Sequence, residues 1–194
     1  MNARTFKPEW QNLITDSARW RMISMLFDCP SAEWSEKLIS LASMVPDADL
    51  KEAVEAARTE ASEGLYHSLF GPGGPASPRE ASYHKSVELG GLMAELTGYY
   101  EAFGYSPASP EVCDHIAVET GFIGYLRLKE AYSLACEDPD HAEITADAAQ
   151  HFMQEHLAVI AKPLGDLLEG AGIRYLALAG HALVQNAGRI RGAK

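Results

Sequence analysis

Apolar residues recur at three- and four-residue spacing along almost the whole of this sequence, and nowhere do they alternate with polar ones over a strand's length. That property restricts the chain to packed helices. A first helix is predicted over residues 8–27, with Trp10, Leu13, Ile14, Ala18, Ile23, Leu26 and Phe27 on its apolar side. A second follows Ser31 as N-cap and carries Trp34, Leu38, Leu41 and Ala42. A third spans about 49–70, and a fourth about 86–103, where Gly104 supplies a C-terminal stop and Gly90-Gly91 a place for close packing. A fifth spans 109–136, and a sixth starts near Pro139, bends or restarts near His156, and is kinked or ended by Pro163. The last is predicted over 173–190, with Arg189 and Arg191 near its end suiting the helix dipole. At 194 residues the chain is long enough for one hydrophobic core. The fold class is all-α, an irregular single-domain bundle of about seven to nine helices over residues 1–194.

One segment breaks the pattern. Residues 71–83, within a Gly/Pro-rich loop reaching about residue 85, begin G-P-G-G-P-A-S-P, with three prolines and three glycines in eight positions. Such a run makes neither a helix nor a central strand. A loop of this length inside a helical domain is more often functional than filler. Tyr66, Phe70 and Tyr83 bracket it and would pin it to the core.

The fifth helix is predicted to open on an acidic head. Ser109 and Pro110 suit an N-cap and first helical position, and Glu111 and Asp114 fall in or near the first turn. His115 follows Asp114, and Glu119 lies one turn beyond His115 on the same face. End charges and boundary histidines are common in this position, but the charge distribution argues for more. Residues 101–147 hold ten Asp and Glu against two Lys and Arg, whereas the rest of the chain holds seventeen against fourteen. The excess suggests a surface that attracts something basic.

Several classes are excluded or disfavoured. The net charge of −11 argues against nucleic acid. No apolar run approaches the roughly 20 residues that span a bilayer, and the first ten residues show no export signal. Cys29, Cys113 and Cys136 are widely spaced and form no C-x-x-C pair, which fits a reducing cytoplasm. There is no G-x-S-x-G, no phosphate loop and no H-E-x-x-H. No catalytic residue, cofactor or metal ligand is therefore expected, and the chain is read as not an enzyme. A helical metal- or cofactor-binding enzyme using His115 and Glu119 is one alternative, although two ligands do not make a site.

Three motifs in register resemble a known family. Y-H-S-L-F-G-P-G-G-P-A-S-P-R-E-A-S-Y (66–83) is similar to the Y-x-x-L-F pattern and P-x-E-S-x-Y loop of the TorD/DmsD/NarJ-like redox-enzyme maturation chaperones. E-V-C-D-H-I-A-V-E-T-G-F-I (111–123) resembles the family's E-x-x-D-H-x-x-x-E-x-x-F element, and F-M-Q-E-H-L (152–157) its later F-x-x-x-H-L. Order and spacing agree from the first helix to about residue 185. Ala81, Val112 and Ile160 depart from the pattern, which leaves the client enzyme open. The resemblance implies a cytoplasmic chaperone that binds the twin-arginine leader and apo catalytic subunit of a molybdoenzyme until its cofactor is inserted. It implies a leader site in which Asp114, with Glu111 and Glu119, takes a leader arginine and His115 shapes the pocket. Pro78, Glu80 and Tyr83 belong to the loop wall, and Tyr66, Phe70 and Phe122 would line an aromatic groove. Helix exchange is known in such proteins, so a monomer or a domain-swapped dimer is expected. A structural subunit of a redox complex is the remaining alternative.

Overall fold

Two serines and one glycine bring the central helices together. The computed structural model describes residues 9–188. In it α1 (Glu9–Leu26) lies along α6 (Ile116–Ala135), the most extensive helix pairing in the protein. Ser17 Oγ donates to the Gly124 carbonyl at 2.6 Å, and Ser24 Oγ to that of Ala117 at 2.7 Å. A Cβ on Gly124 would stand 3.2 Å from the Ser17 carbonyl oxygen and 3.3 Å from the Arg21 amide nitrogen. A methyl there would push the two backbones apart.

The remaining helices surround this pair. They are α2 (Trp34–Ala42), α3 (Ala48–Glu60), α4 (Glu63–Phe70), α5 (Leu89–Phe103), α7 (Pro139–Phe152), α8 (Ala158–Gly170) and α9 (Arg174–Ala187), with a short 3-10 helix at Glu80–Tyr83. α7 packs on the other side of α6, α8 pairs with α9, and α9 lies on α3. α6 is consequently buried on every side from Ile116 to Gly124. Phe122, fully buried at its middle, meets the rings of Tyr99, Tyr100, Phe103, Tyr105 and Phe152. No strand occurs among the described residues, and the all-α expectation holds.

Several boundaries differ from the sequence reading. The predicted third helix is two, because Ser62 starts a new one by accepting from the Leu65 amide. The fourth begins at Leu89, where the Glu88 carboxylate caps the amides of Gly90 and Gly91. Those glycines are exposed and serve the cap, not close packing. Gly104 ends α5 in the left-handed conformation (φ 67°), as expected. Between α7 and α8 the chain runs through a π-helical segment, Met153–Leu157. Pro163 sits inside α8, in its second turn, where only the Val159 carbonyl loses its helical donor. The predicted N-terminal start at residue 8 and the arginines 189 and 191 lie outside the described residues.

The largest difference concerns α6. It begins at Ile116, not near Ser109. Residues 114–116 are instead held by the Gly/Pro loop. The Glu80 amide donates to the Asp114 carbonyl at 2.9 Å, and the Ile116 amide to that of Pro78 at 2.8 Å, with an antiparallel bridge between Arg79 and His115. Ser109 Oγ donates to Asp28 at 3.0 Å and accepts from the Glu111 amide at 3.3 Å, in a local turn outside α6. Pairing between distant segments overrides the local start signal.

Candidate functional site

The backbone bridge between residues 78–80 and 114–116 builds one cavity. Its volume is about 430 Å³. Tyr66 and Phe70 from α4 form one side, residues 71–74 and 76–79 the second, and Glu111, Val112 and His115 the third. Val112, an apolar side chain at the rim, is 47% exposed among the described residues. The sequence-predicted residues Tyr66, Phe70, Pro78, Glu111 and His115 thus share one concave surface.

Three of these side chains form a chain of hydrogen bonds. The Ala117 amide donates to His115 Nδ1 at 3.1 Å, so His115 itself is the N-cap of α6. Its proton is then on Nε2, 3.1 Å from the Tyr66 hydroxyl. Tyr66 donates in turn to Glu111 Oε1 at 2.9 Å. Burial, with the Glu111 carboxylate beside it, pushes the Tyr66 hydroxyl up, so it stays a donor. Burial also lowers His115 to about 4, against the pull of Glu111 and Asp114. Its contribution to stability is therefore complete above the unfolded value of 6.5 and is lost as the pH falls through about 4. Over that window the loss amounts to roughly 3 kcal/mol. Urea denaturation between pH 7 and pH 4 should show it, and His115→Asn, which keeps a capping acceptor, should flatten the profile.

Asp114 does not face the cavity as an open acid. It is fully buried, and Arg79 Nε approaches its two oxygens at 2.9 and 3.1 Å. The expectation of an exposed fork made by Glu111, Asp114 and Glu119 is corrected accordingly: only Glu111, half-buried, reaches the cavity. Glu119 is fully buried one layer deeper, next to Glu80. Burial first, and then the charges of Glu80 and Asp114, raise its carboxyl well above the usual range, which favours the neutral acid beside Glu80. Glu80 is also fully buried. Its carboxylate meets His84 Nε2 at 2.7 Å and His156 Nδ1 at 3.1 and 3.3 Å. Burial opposes its ionisation, but the two histidines win and its pKa is lowered.

Tyr83 is half-buried and donates to the Ser77 carbonyl at 2.6 Å, which closes the loop on itself. Phe122 belongs to the core and lies outside the cavity. Of the ten acids in residues 101–147, Asp114, Glu119 and Glu130 are buried, the last paired with Arg127 at 2.8 Å, so the inferred acidic surface is smaller than the count implied. Arg79, His84 and His156 were not singled out from the sequence. Arg79 stands inside the quoted P-R-E-A-S-Y run, but its partner lies 35 residues away. The alternative in which His115 and Glu119 hold a metal loses its geometry, because both His115 ring nitrogens are engaged.

The family model of the nitrate reductase delta subunit matches residues 29–162. The chain belongs to that family. It is the NarJ/TorD-like group to which the three motifs pointed, a family of molybdoenzyme maturation chaperones and not of catalysts. The matched region contains every cavity residue. Comparison with curated proteins finds no match. Among the described residues no helix is long and apolar enough to cross a membrane.

Proposed function

We propose that this chain is a cytoplasmic chaperone that binds the twin-arginine leader of a molybdoenzyme catalytic subunit in the cavity between residues 66–79 and 111–115. It would hold the apo subunit until the cofactor is inserted and then yield it for export. The observation that carries this reading is the cavity's mixed lining: a wall of Tyr66, Phe70, Ala76 and Val112 beside one accessible carboxylate, Glu111. A leader offers adjacent arginines followed by an apolar stretch, and those are the two chemistries that the lining accepts. Glu111 Oε1 is fixed by Tyr66, which aims the carboxylate without filling it.

The ten predicted residues divide by position. Glu111, Tyr66, Phe70, Pro78 and His115 would touch the leader. Asp114, Glu80, Glu119, Tyr83 and Phe122 would act through the backbone and side chains that shape the wall. Asp114 is thus a positioning residue, with Arg79 between it and the peptide.

Calorimetric titration with a synthetic leader tests this. Glu111→Gln should weaken binding by roughly 1.5–3 kcal/mol, the contribution of a hydrogen bond to a charged group, while leaving the melting temperature unchanged. Replacing both leader arginines by alanine should cost wild type more than it costs the variant. Equal affinity of both proteins for both peptides would remove Glu111, and with it this cavity, from leader recognition.

A further inference from the structure

The π-helical segment Met153–Leu157 holds a histidine nitrogen that the site described so far does not use. His156 is 2% exposed. Its Nδ1 lies 3.1 and 3.3 Å from the two oxygens of Glu80. A carboxylate there accepts, so Nδ1 donates, and Nε2 is the ring atom left to face an ion. Among the described residues that buried Nε2 has no hydrogen-bond partner. It is turned toward Glu95 of α5, whose Oε1 is 4.0 Å away, and toward its own neighbour Glu155.

We propose that His156 Nε2, Glu95 and Glu155 bind a divalent transition-metal ion of the zinc type. One ligand atom from each residue lies within 4.8 Å of the others. On a tetrahedral ion with bonds of about 2.1 Å, ligand atoms stand about 3.4 Å apart, so the two exposed glutamates need close by only about an ångström. His156 is the fixed member, and water would complete the shell. A π-bulge commonly marks a functional position, and here it brings consecutive residues 155 and 156 to the same point. The Tyr99 hydroxyl donates to Glu155 Oε2 at 3.1 Å and orients it. Glu80 behind His156 completes a carboxylate–histidine–metal arrangement. One imidazole with two carboxylates suits zinc, iron(II), cobalt(II) or manganese(II), whereas magnesium and calcium take oxygen ligands. The site is separate from the leader cavity and does not depend on that reading. It departs from the sequence expectation of no metal ligand, because Glu95 lies 60 residues before its partners and no spacing rule joins them.

The test uses the full-length, tag-free chain, stripped with chelator and titrated with Zn²⁺. The expected result is one ion per chain and a higher melting temperature with Zn²⁺ than with chelator. Glu95→Gln and Glu155→Gln, both at exposed positions, should keep the metal-free melting temperature and each weaken Zn²⁺ binding at least tenfold. The double variant should lose the stoichiometric ion. Cobalt(II) should give a visible spectrum with nitrogen and oxygen ligands. Absence of stoichiometric zinc, undiminished binding in the double variant, or magnesium binding as well as zinc would each overturn the proposal.

Discussion

Asp114→Ala is expected to destabilise the fold by about 3 kcal/mol and to lower the melting temperature by roughly 6–12 °C for a chain of this size. Asp114 is fully buried, and its carboxylate is the counter-charge of Arg79. It also lies 3.4 Å from the Ala81 amide. Truncation would strand the guanidinium and a backbone donor next to a new cavity. Breaking a buried pair costs about 3–5 kcal/mol, and the lower end applies because Arg79 is 38% exposed and can regain water. Because the 114–116 backbone is tied to 78–80, the cavity wall would loosen with it, and leader affinity should fall too. The order of effects separates the two roles. Asp114→Ala should lose stability first and affinity as a consequence, whereas Glu111→Gln should lose affinity alone. Arg79→Ala should reproduce much of the stability loss, and the double variant should fall short of additivity. An Asp114→Ala protein that melts like wild type yet fails to bind leader would reverse the assignment and make Asp114 the direct contact.

This pair also marks the limit of what the sequence discloses. The helices were legible because their apolar spacing is a local property, and the Gly/Pro segment because proline and glycine act locally. Tyr66, Phe70, Pro78, Glu111 and His115 came together as expected because the motifs that carry them flank one loop. The start of α6 was not legible. Ser109 and Pro110 present good start signals, yet the backbone of residues 114–116 pairs with residues 78–80, and that long-range pairing wins. For the same reason Asp114 and Glu119 read as surface charges. Residue type alone does not say that Arg79 covers the first or that burial beside Glu80 raises the carboxyl of the second. His156 stood in a quoted motif, but its relation to Glu80, 76 residues earlier, exists only in three dimensions.

The buried carboxyl pair gives the other large expected effect, with opposite results at its two members. Glu80→Gln should cost about 3 kcal/mol, because it removes the acceptor charge that both His84 and His156 face. Glu119→Gln should cost little at pH 5, since a neutral amide of the same shape replaces a carboxyl that burial favours in its neutral form. The pH dependence follows from the sign of the Glu119 shift. Its folded pKa is raised, so the stabilisation it supplies is complete below the unfolded value of about 4.3 and is lost as the pH rises through the folded value. Glutamine has no such loss. The advantage of Glu119→Gln over wild type should therefore grow with pH, by at most about 1.4 kcal/mol per unit, and reach a clear stabilisation by pH 8. Urea denaturation of wild type and both variants at pH 5, 6.5 and 8 measures this. A neutral Glu80→Gln together with a destabilising Glu119→Gln would make Glu80, not Glu119, the neutral member. The pair matters for the site because the Glu80 amide donates to the Asp114 carbonyl.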